Sequence, residues 1–83
     1  METRDVHNLA LGSTIRQLRK ERRLTQQELA DRAGIPAEKL RSVEVGSVDA
    51  EWGTLRHLAY ALEVELPEVF RLTEEAEERG ARR

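Results

Sequence analysis

Leu24-Thr25-Gln26-Gln27-Glu28-Leu29-Ala30-Asp31-Arg32-Ala33-Gly34-Ile35 is the stretch on which the fold turns. Thr25 and Glu28 have the spacing of a capping box, in which the hydroxyl accepts the Glu28 amide hydrogen and the carboxylate reaches back. The helix so begun is short. Leu29 and Ala33 stack at i,i+4, and Gly34 stops it as a left-handed residue. Ile35 and Pro36 open another short helix, proline being tolerated where first-turn amides have no intrahelical acceptor. Leu40 and Val43 form its inward face, and Gly46 ends it. Small Ala30 allows the two helices to approach closely, and Gly34 supplies the positive φ of the turn between them. Two short helices joined across a tight glycine turn is therefore the local expectation.

Outward from this pair the apolar spacing stays helical. Leu11, Ile15 and Leu18 mark an amphipathic helix over about residues 9–22. Ser47 to Ala50 reads as a loop, and Glu51 or Asp49 stands where a fourth helix would be capped. That helix carries the stripe Trp52, Leu55, Leu58/Ala59, Leu62. Val64 to Pro67 breaks it, and a fifth helix from Pro67 is expected to bury Val69 and Phe70. Residues 1–8 read as an N-terminal arm, 9–72 as the folded domain, and 73–83 as a charged tail, either a frayed helical extension or disordered. The expected fold class is all-α, five helices with short links.

The chain has 83 residues, 39% hydrophobic and 36% charged, enough for one small domain with a charged shell. Cysteine is absent, which excludes a disulfide scaffold and a thiolate metal site. No apolar run approaches the roughly 18–20 residues needed to cross a bilayer, and Met1 to Asp5 lacks the apolar segment of a signal peptide, so a cytoplasmic protein is expected. The formal net charge is −2, unusual for a nucleic-acid binder. It is unevenly spread: residues 1–11 carry −1, residues 12–45 carry +3 and residues 46–83 carry −4. Such polarity suits a basic binding face with an acidic tail, and equally a surface coated with Glu and Arg.

With these pieces in place the chain resembles the phage-repressor/Cro-type, or Xre-like, helix-turn-helix family from about Leu11 to Phe70. The matching segments are LGSTIRQLR at 11–19, LTQQELADRAGI at 24–35, Leu40, Val43, Glu44 and Gly46, TLRHLAYALEV at 54–64 and LPEVF at 66–70. The resemblance implies a compact five-helix, lambda-repressor-like DNA-binding domain, with a recognition helix at about 36–45 in the major groove. It implies that Gln26 contacts phosphate and steadies that helix, and that Ala37, Glu38 and Ser42 occupy base-reading positions, with Lys39 and Arg41 beside them. Arg19 and Glu44 match a pair that forms a structural salt bridge in relatives. Arg23 stands where relatives carry glycine, so a left-handed residue and an added base near DNA are expected there. Pro36 replaces the usual Ser or Thr cap. Val45 and Val48 replace polar or basic loop residues, and would either pack on a partner subunit or, more simply, let Val45 fold back on Trp52.

Chemically, a carboxylate such as Glu38 could accept from a cytosine amino group or bridge to Lys39 or Arg41, while those two could meet phosphate or guanine. His7 and His57 lie fifty residues apart without a metal-ligand partner, and no glycine-rich phosphate loop or nucleophile–base arrangement is present. The sequence thus points away from an enzyme, a cofactor, a metal or a small-molecule ligand. It points to a transcriptional regulator, a repressor by resemblance, binding palindromic double-stranded DNA as a homodimer. The alternative is a protein-interaction module, or an antitoxin-like regulator with a protein partner, on the same fold.

Overall fold

The structure, a computed structural model, describes residues 3–81 as five helices: α1 (Thr3–Glu21), α2 (Gln26–Ala33), α3 (Ala37–Val45), α4 (Trp52–Ala61) and α5 (Leu66–Ala81). No strand occurs among the described residues, and the fold is all-α as expected. The apolar stripes converge on one core, in which Ile15, Leu29, Leu40, Leu58, Leu62, Val43 and Val69 are almost fully sealed. α1 runs between α3 and α5, while α2 packs on α3 and α4, and α4 touches α5. The helix-turn-helix pair therefore rests on α1 from one side and α4 from the other.

Four helices end with one device. After α1, α2, α3 and α4, a residue at positive φ is followed by an amide that reaches back five residues: Leu24 to Arg19, Ile35 to Ala30, Ser47 to Ser42 and Val64 to Ala59, at 3.0–3.1 Å. Gly34 (φ 70°) and Gly46 (φ 77°) take this conformation at little cost. Arg23 (φ 57°) and Glu63 (φ 58°) take it against the preference of a side chain. The left-handed residue expected at Arg23 is thus present. Its counterpart at Glu63 has no glycine to announce it.

The ends of the chain are helical, the first where an arm was expected and the last in line with the helical one of its two alternatives. The segment read as an arm is helical from Thr3, and the segment read as a tail is helical to Ala81; residues 1, 2, 82 and 83 lie outside the described residues. The two extensions support each other, because α1 packs along α5. His7 Nδ1 lies 2.6 Å from Glu77 Oε1. Thr73 is buried, its hydroxyl donating to the Val69 carbonyl at 2.7 Å and meeting the Thr14 hydroxyl at 3.4 Å. On the outer side Arg71 bridges Glu68 and Glu75 along the helix. Neither extension carries enough apolar residues to be read alone; each is ordered by the other.

Two side chains expected inside, Trp52 and Phe70, are exposed, as is Val45, for which folding back on Trp52 was the simpler of two expectations. Trp52 is 61% exposed, because the buried side of α4 is set by α2 and α5 and begins at Thr54 and Leu55. Val45 is likewise 60% exposed. Phe70 is 40% exposed: it sits about 100° around the helix from Val69, off the stripe that Val69 and Thr73 bury.

Candidate nucleic-acid interface

α2 begins as its sequence dictates. Thr25 is extended (φ −75°, ψ 165°), its hydroxyl accepts the Glu28 amide at 3.0 Å, and its own amide donates to the Glu28 carboxylate at 2.9 Å. The backbone hydrogen bond from Thr25, then the hydroxyl, hold the Glu28 carboxyl below its ordinary range. After the Gly34 turn, Pro36 (φ −63°, ψ 141°) is the N-cap of α3 rather than its first helical residue, and no side chain caps that end. α3 buries Leu40, Val43 and Glu44. Glu38, Arg41 and Val45 face solvent, and Ala37, Lys39 and Ser42 are half-buried, Ala37 packing against the core.

What fixes α3 lies behind it. At Gly12, α1 passes so close that a Cβ would stand 2.4 Å from the Val43 carbonyl oxygen and 2.5 Å from that of Glu44. Two turns further along α1, Arg19 grips Glu44 with a two-pronged fork, Nε to Oε2 at 2.7 Å and Nη2 to Oε1 at 3.0 Å. Its remaining prong donates to the Leu24 carbonyl at 2.9 Å. Gln26 completes the set, its amide donating to Glu44 Oε1 at 2.9 Å. Glu44 is 2% exposed through its side chain and Arg19 11%, and the hydrogen bond that Arg19 donates to Glu44 raises the Arg19 pKa above its ordinary value. No buried side-chain polar atom among the described residues lacks a partner. One buried carboxylate thus joins α1, α2 and α3.

The outward residues are less engaged. Arg41, Glu38 and Arg23 take part in no ion pair or side-chain hydrogen bond among the described residues. The bridge from Glu38 to Lys39 or Arg41 is therefore not formed; Lys39 turns instead toward α4, its Nζ 3.9 Å from Glu51 Oε1. Glu51 is the N-cap residue of α4, yet its side chain makes no capping hydrogen bond. Asp49, the other capping candidate, accepts from the Asn8 amide at 2.7 Å. Ser42 contributes its carbonyl to the end of α3, where the Gly46 and Ser47 amides and the Ser47 hydroxyl gather.

Two residues central to this arrangement escaped the sequence reading. Gly12 was passed over within its motif, although an isolated glycine inside a helical pattern signals a packing reason. Arg22 was counted as a base of the positive segment, but its guanidinium bonds the Leu62 carbonyl at the end of α4 and the Leu18 carbonyl at 3.2 Å. With Arg19 also turned inward onto Glu44, two of the eight bases of residues 12–45 are engaged within the fold. Among the described residues no group of three or more His, Asp or Glu is placed to share a metal ion, and no helix is long and apolar enough to cross a membrane.

Comparison with known proteins agrees with this architecture. Two crystal structures of the clp gene regulator ClgR from Corynebacterium glutamicum superpose on the chain. One gives a TM-score of 0.87 at 23% identity, covering 90% of this chain and 80% of that one. The other gives 0.80 at 23% identity, covering 84% and 91%. At this identity the likeness is one of fold. No curated protein matches the sequence at a significant level. The sequence profile described as a helix-turn-helix domain matches residues 10–72, from the middle of α1 into α5. That span holds the capped α2, the glycine turn and the clamped α3, and the chain belongs to the helix-turn-helix domain family.

Proposed function

We propose that the protein is a sequence-specific DNA-binding transcriptional regulator, acting as a repressor, that binds a palindromic operator as a homodimer. The observation that carries this reading is the contrast between the two faces of α3. Its inner face is held by Gly12, Arg19, Gln26 and Glu44, while its outer face offers Arg41, which has no internal partner among the described residues. A helix seated that rigidly suits insertion into the major groove, which admits an α-helix and presents a distinct donor and acceptor pattern for each base pair. In this reading Lys39 and Arg41 address guanine or phosphate, Glu38 accepts from a cytosine amino group, Ser42 meets base edges and Ala37 offers a methyl to thymine. Gln26 gives one N–H to Glu44 and keeps the second for a phosphate oxygen. Arg23, exposed after α1, adds a backbone contact. The structural neighbours are themselves named as a gene regulator.

Selection from random-sequence duplexes with the purified protein, followed by anisotropy titrations at several salt concentrations, tests the proposal. An enriched palindrome with half-sites about one helical turn, or 34 Å, apart is expected. With Arg23, Lys39 and Arg41 as the phosphate-neutralising cations of each protomer, the slope of log K against log salt for the dimer is expected near about −5. Absence of binding even at low salt refutes the proposal. A second reading, a protein-interaction module, is favoured by the exposure of Val45, Val48 and Trp52 beside α3. Capture of one defined protein partner from nuclease-treated cells, together with failure to bind duplex, would select it.

A further inference from the structure

We propose that Glu51 is a positioning residue of the DNA-reading face: it restrains Lys39, suppresses binding to DNA of unrelated sequence and thereby raises the discrimination of the operator. The inference rests on the DNA-binding reading above. Glu51 occupies the N-cap of α4, where Ser, Thr, Asp or Asn would fold back onto a helix amide. Its own carboxylate makes no such bond and lies 3.9 Å from Lys39 Nζ. The other acids nearby do not compete for that ammonium. Asp49 is taken by Asn8, Glu44 is enclosed by Arg19 and Gln26, and Glu38 makes no ion pair among the described residues. The Lys39 and Glu51 side chains are 40% and 78% exposed, so the pair lies open to an approaching duplex.

Any DNA that recruits Lys39 must draw it away from Glu51 and accept a fixed negative charge at the edge of the interface. Binding to unrelated sequence depends almost wholly on phosphate contacts and bears that penalty in full. A site presenting guanine O6 and N7 to Lys39 offers directional acceptors in exchange. Glu51 therefore weakens unrelated binding more than operator binding.

The test is a double-mutant cycle with Glu51→Gln, Lys39→Ala and the double variant, each checked for native helicity. Glu51 is exposed and Lys39 half-buried outside the core, so all three variants are expected to fold. The probes are a duplex selected by the wild-type protein and a duplex of unrelated sequence, each titrated at several salt concentrations. Two unit charges about 4 Å apart in water interact enough for an effect of about five-fold. Glu51→Gln is expected to tighten unrelated binding by about that factor and to steepen its salt slope by about one per protomer. The selected duplex is expected to gain less, and the gain is expected to vanish when Lys39 is alanine. Equal tightening on both duplexes, no tightening, or the same gain in the Lys39→Ala background overturns the inference while leaving DNA binding intact. If neither the wild type nor Glu51→Gln binds any duplex at low salt, the DNA-binding reading falls, and this inference with it.

Discussion

Gly12→Ala tests how α3 is held. The added Cβ would lie 2.4 Å from the Val43 carbonyl oxygen, 2.5 Å from that of Glu44 and 2.9 Å from the Glu44 carbonyl carbon, whereas ordinary contact begins at 3.4 Å. Three backbone atoms cannot rotate aside as a side chain would, so α1 and α3 must separate by about 1 Å. Alanine returns about 1 kcal/mol of helix propensity. Overpacking costs about 1–3 kcal/mol, and a clash with backbone belongs at or above the upper end. The net loss is about 2 kcal/mol, which for a domain of this size lowers the melting temperature by roughly 8–16 °C. Thermal unfolding followed by circular dichroism measures it, with Gly53→Ala as the control, since nothing lies within 4 Å of a Cβ there. The control is expected to be neutral or stabilising by up to about 1 kcal/mol. A Gly12→Ala protein that melts within about two degrees of the wild type would refute the close approach of α1 to α3.

Glu44→Ala leaves the Arg19 guanidinium enclosed without its carboxylate and is expected to cost about 3–5 kcal/mol in urea unfolding, whereas Arg19→Met with Glu44→Leu should lose much less. Arg23→Gly relieves a left-handed side-chain residue and removes a cation, so the variant should be more stable by about 1 kcal/mol yet bind DNA more weakly; a fall in stability would contradict the strain at this position. Arg41→Ala is expected to change stability by less than about 0.5 kcal/mol while strongly reducing affinity for a selected duplex. In acid, Glu28 and Glu68 matter: the hydrogen bonds from Thr25 and from Arg71 hold their carboxyls below the ordinary 4.5. The unfolded chain therefore binds more protons there, and the stability they contribute is complete above about pH 4.5 and lost as pH falls through their lowered folded values. Urea midpoints measured down this range should decline less steeply for Glu28→Gln than for the wild type.

The central motif was legible because its signals are local. A threonine and a glutamate three residues apart, an i,i+4 apolar pair and a glycine define α2 and its turn whatever surrounds them. The stripes Ile15 and Leu18, Leu40 and Val43, and Leu55, Leu58 and Leu62 are buried as their spacing implies. Where periodicity was ambiguous the reading erred. Trp52 looked like the start of the α4 stripe, and Phe70 adjoined Val69, but the direction from which α2, α5 and α1 approach decides which side of each helix is covered. The helical extension of α1 was illegible, and that of α5 left undecided, for a related reason, each depending on a neighbour far along the chain, as the His7–Glu77 pair, seventy residues apart, illustrates.

By itself, then, the sequence determined the five helices, the capping box of α2, the glycine-terminated ends of α2 and α3, and the all-α core, because hydrogen bonding and apolar spacing within a few residues are enough to specify them. Charge did not transfer so simply. The +3 of the central segment is a property of the chain, but Arg19 and Arg22 are turned into the fold and Lys39 is shared with Glu51. Which cations remain for a ligand, and how firmly α3 is presented to it, are settled only when α1 crosses α3 at Gly12 and α4 begins beside Lys39. Long-range packing brings those groups together, and electrostatic interaction depends on their distance in space rather than in sequence.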